Sequence, residues 1–376
     1  MTCREVIKYL EDWAPQQIAW QNDNVGVQVG SINKKVTNIM LSLEITPAVV
    51  NQAIKKNCNL IITHHPLIFY PIKKLDLNND SDAQLIEKLI KKDITLYSAH
   101  TNLDFTKHGV SFQLAKQLGL RNITFLKNQK SNQYKLSIYI PPSHVEKVAA
   151  SIFAAGGGTI GEYLSCSFRS EGEGTFKGSS DSNPSVGLKD RHERVKEIKL
   201  EVLVNSWKLN NVLKSMFSSH PYEEPAYDIY PIENNNVNYG AGAIGNFEKG
   251  LSLSATLSLV SQKLATKSFR YVEGSRKRIS RVAVCGGSGS DLINEAINSG
   301  ADAFVTSDIK YHAFHSAKGK ILLIDAGHYE TEIPVLNEIQ RRLSSLVKEK
   351  REIKVLKFNG NTNPINIYNK IRSHVN

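Results

Sequence analysis

The strongest constraint on the fold is a repeated switch of hydrophobic period in the two outer thirds of the chain, which the middle does not share. Residues 36–45 (VTNIMLSLEI) read as a strand, and residues 47–55 as a helix with Thr46 placed as its N-cap. Residues 60–63 are a short apolar run, followed at 82–92 by Leu85, Ile86, Leu89 and Ile90 in helical spacing. A strand at 94–99 and a helix at 110–118, stopped by Gly119, complete the first set. The last third repeats the style. Strands at 281–285, 303–306, 321–325 and 353–358 alternate with helices at 291–298 and 334–348. Repeated βα units predict an α/β domain: a largely parallel sheet flanked by helices.

Polar breaks at 127–133 (KNQKSNQ) and 234–238 (NNNVN) bracket a middle of different character. Strand patterns at 135–140 and 197–204 and helical patterns at 144–154 and 206–217 predict a small α+β domain. Residues 156–190, rich in Gly and Ser, read as loops and short strands. A length of 376 residues fits two or three domains. The predicted organisation is a discontinuous α/β domain over 1–128 and 237–376, with an insert over 129–236.

Hydrophobic residues make up 41% of the chain and charged residues 22%, enough to build a core and to exclude wholesale disorder. Lys plus Arg, 47, less Asp plus Glu, 36, leaves a net charge of +11, which permits a phosphate-rich ligand or weak nucleic-acid attraction and proves neither. The four cysteines, Cys3, Cys58, Cys166 and Cys285, are scattered with no CxxC, so disulfide scaffolds and all-cysteine zinc sites are not expected. The first fifteen residues carry Arg4, Glu5, Lys8, Glu11 and Asp12 with no apolar core, and no run of about 20 apolar residues occurs. A cytoplasmic protein with no membrane partner is expected.

Metal-ligand residue types recur where these strands end. His64-His65 follow the apolar run at 60–62, and His100 and Asp104 follow the strand at 94–99. His328 and Glu332 follow the strand ending near Asp325, with Gly327 allowing the turn. In open α/β sheets ligands bind at that edge. Pro334 is tolerated only in a first helical turn, so the last helix is expected to begin near Glu332, with His328 on the preceding loop. Imidazoles with carboxylates suit zinc, iron or manganese without sulfur. Three of these histidines, His64, His65 and His328, with the carboxylates Asp104 and Glu332 exceed one tetrahedral site and suit two divalent ions sharing a carboxylate and activating a water. Each cluster alone also fits an ordinary polar strand end or a helix-start charge. Three clusters at three strand ends favour the metal.

These motifs carry a resemblance. WQNDNVGVQVG from Trp20, THHPLIF from Thr63, SAHTNLD from Ser98, VAVCGGSGSDLI from Val282, VTSDIKYH from Val305 and DAGHYETE from Asp325 resemble the GTP cyclohydrolase 1 type 2 homologue family of dinuclear-metal proteins. The resemblance implies metal ligands at His64, His65, Asp104, His328 and Glu332. It also implies GTP opening to a dihydroneopterin triphosphate and formate, with His100 or Glu330 moving protons. Two positions depart from the family pattern: Glu44 stands where Asp is usual, and Ser307 where Gly is usual. Neither is expected to touch a proposed ligand. GGGTIGEYLSCSF from Gly156, GEGTF from Gly172 and SHPYEEPAYDIYPI from Ser219 make the insert similar to the PII/CutA-like domain of longer bacterial members. That likeness implies a homohexamer with the metal sites facing an inner cavity.

Other signals are weaker. GxGxxG patterns at 156–161 and 240–245 do not join a strand to a helix, so they read as turns in and beside the small domain. The 286–289 loop, with Gly287 and Gly289, fits either an anion cradle or a tight turn. Ser307, Asp308, Lys310, Tyr311 and His312 are candidates for touching substrate or supporting the ligands, and His100 is also a candidate proton shuttle. The basic stretch at 341–357 is interleaved with Glu and reads as a solvated face, which leaves a DNA partner unsupported. The leading expectation is a metal-dependent hydrolase acting on a nucleotide or related heterocycle. The alternative is a non-catalytic metal-binding, trafficking or regulatory hexamer.

Overall fold

A computed structural model describes residues 1–266, 268–350 and 352–367. Arg351 of the basic stretch and residues 368–376 of the expected last segment lie outside the described residues. The chain divides into two compact units, Met1–Lys127 with Tyr239–Asn376, and Asn128–Asn238.

The first unit holds two sheets among the described residues where the sequence predicts one. The five-stranded sheet runs Gly26–Val29, Thr95–Ser98, Leu60–Thr63, Ile39–Ser42, Val355–Lys357, parallel except for its first strand. The six-stranded sheet runs Arg270–Val272, Leu322–Asp325, Ala303–Ser307, Ile279–Ser288, Asn236–Leu251, Arg121–Gln129. Leu322–Asp325, Ala303–Ser307 and Ile279–Ser288 are parallel, while Arg270–Val272 and Asn236–Leu251 run antiparallel to their neighbours. The parallel core of each sheet is the predicted βα pattern. The antiparallel additions come from stretches whose polarity hides them: Arg121–Gln129 is an edge strand, largely solvated, and it runs into the expected break at 127–133.

Central strands are sealed on both faces. All four residues of Ile39–Ser42, Leu60–Thr63 and Thr95–Ser98 are buried, as a helix-covered parallel sheet requires. Ile39, Leu41, Leu60 and Ile62 pack in one core with Val335 and Ile339 of the Val335–Leu346 helix, each side chain contributing about 1.5–3 kcal/mol by leaving water. The helix Pro47–Lys55 starts where Thr46 accepts a hydrogen bond from the Val49 N–H.

The 240–245 pattern is strand, not turn. Its glycines let two strands approach: a Cβ on Gly240 would lie 2.5 Å from the Lys127 carbonyl oxygen, and one on Gly245 2.8 Å from that of Arg121. The 286–288 segment is likewise strand, the irregular end of Ile279–Ser288, where the register shifts between Val284 and Ser288.

The second unit follows β-α-β-β-α-β order, with sheet order Phe168–Lys177, His192–Asn205, Gln133–Ile140, Tyr227–Pro231, all antiparallel. The helices Val145–Ala154 and Leu209–Ser219 cover one core with Leu136, Ile138, Leu200 and Val202. This is the split βαβ topology. Residues 156–190 hold a ten-residue strand where loops and short strands are expected, because Phe168–Lys177 is exposed along almost its whole length and lacks an apolar face. Among the described residues no helix is long and apolar enough to cross a membrane.

Candidate metal centre

The candidate ligands meet at the carboxyl ends of strands from both sheets of the first unit. Thr63 ends its strand, and the backbone N–H groups of His64 and His65 both reach the Leu43 carbonyl, at 3.1 and 2.9 Å. The Ser98 hydroxyl donates to the His64 carbonyl and the Thr63 hydroxyl to that of His65, each at 2.8 Å, so the two-histidine corner is pinned on both sides. His100 precedes the helical turn Thr101–Asp104, which carries Asp104.

His328 and Glu332 share one short helix, His328–Glu332, and His328 is therefore not on a loop. Pro334 does not open that helix; it caps the next one, Val335–Leu346, with φ −57°. Lacking an N–H, it ends the first hydrogen-bond ladder, and 328–332 forms a separate turn. The i,i+4 spacing then puts both side chains on one face.

Glu332 is the hub. Its Oε1 lies 2.9 Å from His328 Nε2 and 3.6 Å from His64 Nε2, and its Oε2 lies 3.1 Å from His65 Nε2. Asp104 Oδ1 lies 3.6 Å from His64 Nε2. His64 Nε2, Asp104 Oδ1 and Glu332 Oε2 are buried yet make no well-formed hydrogen bond. Burying such groups without partners costs about 1–3 kcal/mol each or more. A cation among them would satisfy all three at once. The donor set is hard to intermediate, imidazole and carboxylate without thiolate, and it suits zinc, iron or manganese. His64 and Glu332 are sealed, with side chains 0% and 4% exposed, while His65 and His328 are 23% and 35% exposed, so one flank of the cluster is open to solvent.

The electrostatics agree. Burial works to raise the Glu332 carboxyl, but His64, His328 and His65 hold it well below the usual carboxylate range. Burial lowers His65, but Glu332 and Glu44 overcome it and push the imidazole up to about 10. His328 is pushed up to about 9 against burial by Glu332 and Asp308. Burial raises Asp104 to about 7, beyond what the pull of His64 offsets, with Glu332 adding repulsion. Protons thus sit where a cation would, and a bound metal would displace them. Cys285, on the adjoining strand, is raised to about 12 by burial and by the Asp104 and Glu332 charges, so its thiol keeps its proton.

Several residues outside the expected ligand set shape the centre. Asp308 accepts from His328 Nδ1 at 2.6 Å and sits at φ +56°, a left-handed conformation that Asp tolerates. Glu44 lies 3.3 Å from His65 Nδ1, which corrects the expectation that its position touches no ligand. Asp23, never singled out in the sequence, holds His100 Nδ1 at 2.8 Å. Its only sequence signal is its place inside WQNDNVGVQVG.

The remaining candidates take other roles than those expected. Gly287 is no anion cradle: its N–H goes to the Thr331 hydroxyl at 3.0 Å, and the Gly286 N–H goes to Ser111 Oγ at 3.3 Å. At φ +65°, a Cβ on Gly287 would lie 2.3 Å from Glu332 Oε1. Gly289 is packed against Thr306, whose Oγ1 would lie 2.4 Å from a Cβ there. Glu330 accepts from Asn363 at 3.1 Å, and the His312 ring packs on Tyr311.

The family model for Duf34/NIF3 (NGG1p interacting factor 3) matches residues 1–364. The chain belongs to the Duf34/NIF3 family. A relative in Halalkalibacterium halodurans named GTP cyclohydrolase 1 type 2 homolog is 37% identical over 348 residues, 92% of this chain and 93% of that one. A Bacillus subtilis relative of the same name is 36% identical, covering 96% of this chain and 97% of its own. The crystal structure of a Bacillus cereus protein related to NIF3 matches this NIF3-family chain with a TM-score of 0.85 and 35% identity, over 98% of this chain and 99% of that one. A Staphylococcus aureus crystal structure matches at 0.78 and 33%, with the same coverage.

Proposed function

We propose that this chain is a dinuclear metal-dependent hydrolase that opens a nucleotide or related heterocycle with an activated water. The observation that carries the reading is the buried Glu332 carboxylate, whose oxygens face different histidines beside the orphaned His64 Nε2 and Asp104 Oδ1. His65, His328 and Glu332 would hold one ion, and His64, Asp104 and the shared Glu332 a second. Zinc, iron and manganese all accept such donors. When bound, the pair supplies Lewis acidity and a water acidified toward neutrality.

The protein supplies the rest. The half-open flank at His65 and His328 admits substrate, while the sealed His64 and Glu332 exclude bulk water behind it. The net +11 favours an anionic substrate. The name carried by the relatives, GTP cyclohydrolase 1 type 2 homolog, makes GTP the first substrate to test. Of the two expected proton carriers, Glu330 is tied to Asn363, and only His100 packs among the cluster histidines. The insert is read as a PII/CutA-like module, in keeping with the split βαβ order of the second unit, and the assembly is proposed as a homohexamer.

The test is incubation of purified protein with GTP and zinc, manganese or iron in turn. Formate or a fluorescent pterin should form, and His64→Ala and Glu332→Ala should abolish it. Full metal loading with no turnover of any nucleotide would sink the hydrolase and leave a metal-binding or trafficking protein.

A further inference from the structure

Each histidine around Glu332 is built the same way. The Nδ1 of His64 is held by the Ala99 carbonyl at 2.8 Å, that of His65 by Glu44 at 3.3 Å, and that of His328 by Asp308 at 2.6 Å. A backbone carbonyl or carboxylate on Nδ1 requires a proton there, which leaves the Nε2 lone pair free and aims the ring. Metal-bound imidazoles are characteristically oriented in this way.

His100 has the same construction. Asp23 Oδ1 holds its Nδ1 at 2.8 Å, and the other Asp23 oxygen is fixed by the Thr101 N–H at 3.0 Å and by the Thr101 hydroxyl. The Asp23 side chain is 4% exposed, so its orientation is set by these bonds. The His100 ring centroid lies 5.2 Å from that of His64 and 5.4 Å from that of His65. A ring nitrogen of each of the three lies within 4.8 Å of the others. His100 has a partner on Nδ1, and its Nε2 has none among the described residues.

We propose that His100 is a sixth metal donor, locked in its ligating tautomer by Asp23. This rests on the metal-centre reading above and replaces proton transfer as the role of His100. The consequence is an asymmetric centre. His100 then joins His64, Asp104 and Glu332 as a fourth donor to the His64 ion, the number that closes a tetrahedral site. His65, His328 and Glu332 give three on the open side, which leaves one position for water. The four-donor ion is then held more tightly than the three-donor one.

The test is a cobalt(II) titration of the chelator-stripped full-length protein, followed by visible absorption, with circular dichroism to confirm folding. Wild-type protein should bind two cobalt ions of unequal affinity. His100→Gln should weaken the tighter one by about 100-fold and alter its spectrum, and Asp23→Asn should weaken the same ion by about 10–100-fold. His328→Ala should weaken only the other. Folded His100→Gln or Asp23→Asn protein with wild-type affinities and spectrum would overturn the sixth donor while leaving the metal centre intact. Wild-type protein that binds no cobalt would overturn the metal centre, and the sixth donor with it.

Discussion

Glu332 concentrates the chemistry of the centre in one carboxylate, and the backbone at Gly287 leaves the space it occupies. A methyl group there would meet Glu332 Oε1 at 2.3 Å and His328 Nε2 at 3.3 Å, on a backbone at φ +65° that disfavours any side chain. Gly287→Ala should therefore cost about 1–2 kcal/mol from the backbone alone and also displace the hub. Thermal unfolding and metal analysis should show a lower Tm together with reduced metal content. Unchanged metal content would remove Gly287 from the account. At this scale the candidate ligands were legible as a group because each follows an apolar run in sequence. Their supports were not. Asp23 lies 77 residues from His100 and Glu44 21 from His65, and nothing local marks either as a partner.

Helices and strands were legible where burial writes a period. The Ile39–Ser42, Leu60–Thr63 and Thr95–Ser98 strands are apolar because both faces are covered. Phe168–Lys177 and Arg121–Gln129 were hidden because solvated strands keep polar residues on both faces. Pro334 was read as a helix start, whereas it divides two helices and so places His328 on the same face as Glu332. The second of these helices carries its own ionic lock. Glu338, buried at 7% exposure, accepts from Arg341 at 2.8 and 2.6 Å and from Arg342 at 2.8 Å. Burial works to raise its carboxyl, but the two arginines outweigh it and lower it below the ordinary value. A depressed folded value means the stabilisation is complete above the unfolded carboxyl value, about 4.3, and is lost as pH falls through the folded one. Glu338→Gln should cost about 1–2 kcal/mol at pH 7, and the gap from wild type should narrow below about pH 4. Denaturant melts at pH 7 and pH 3 check this, and a gap that stays constant would contradict it.

For the whole molecule, two compact units are joined by a chain that leaves the first and returns to it. The last described strand, Val355–Lys357, pairs with Ile39–Ser42, so the N-terminal sheet is complete only when the chain has come back from the insert. That long-range closure brings His328 and Glu332, from the final third, against His64 and His65, from the first. The centre is thus a product of the discontinuous unit and of neither half alone. Its central claim is that this convergence holds metal. The most direct test is native mass spectrometry of full-length protein purified without chelator, beside a folded Glu332→Gln variant. The wild type should carry two divalent ions per chain in a homohexamer, and the variant fewer. A folded wild-type protein with no bound metal, or a variant with undiminished metal, would contradict this claim.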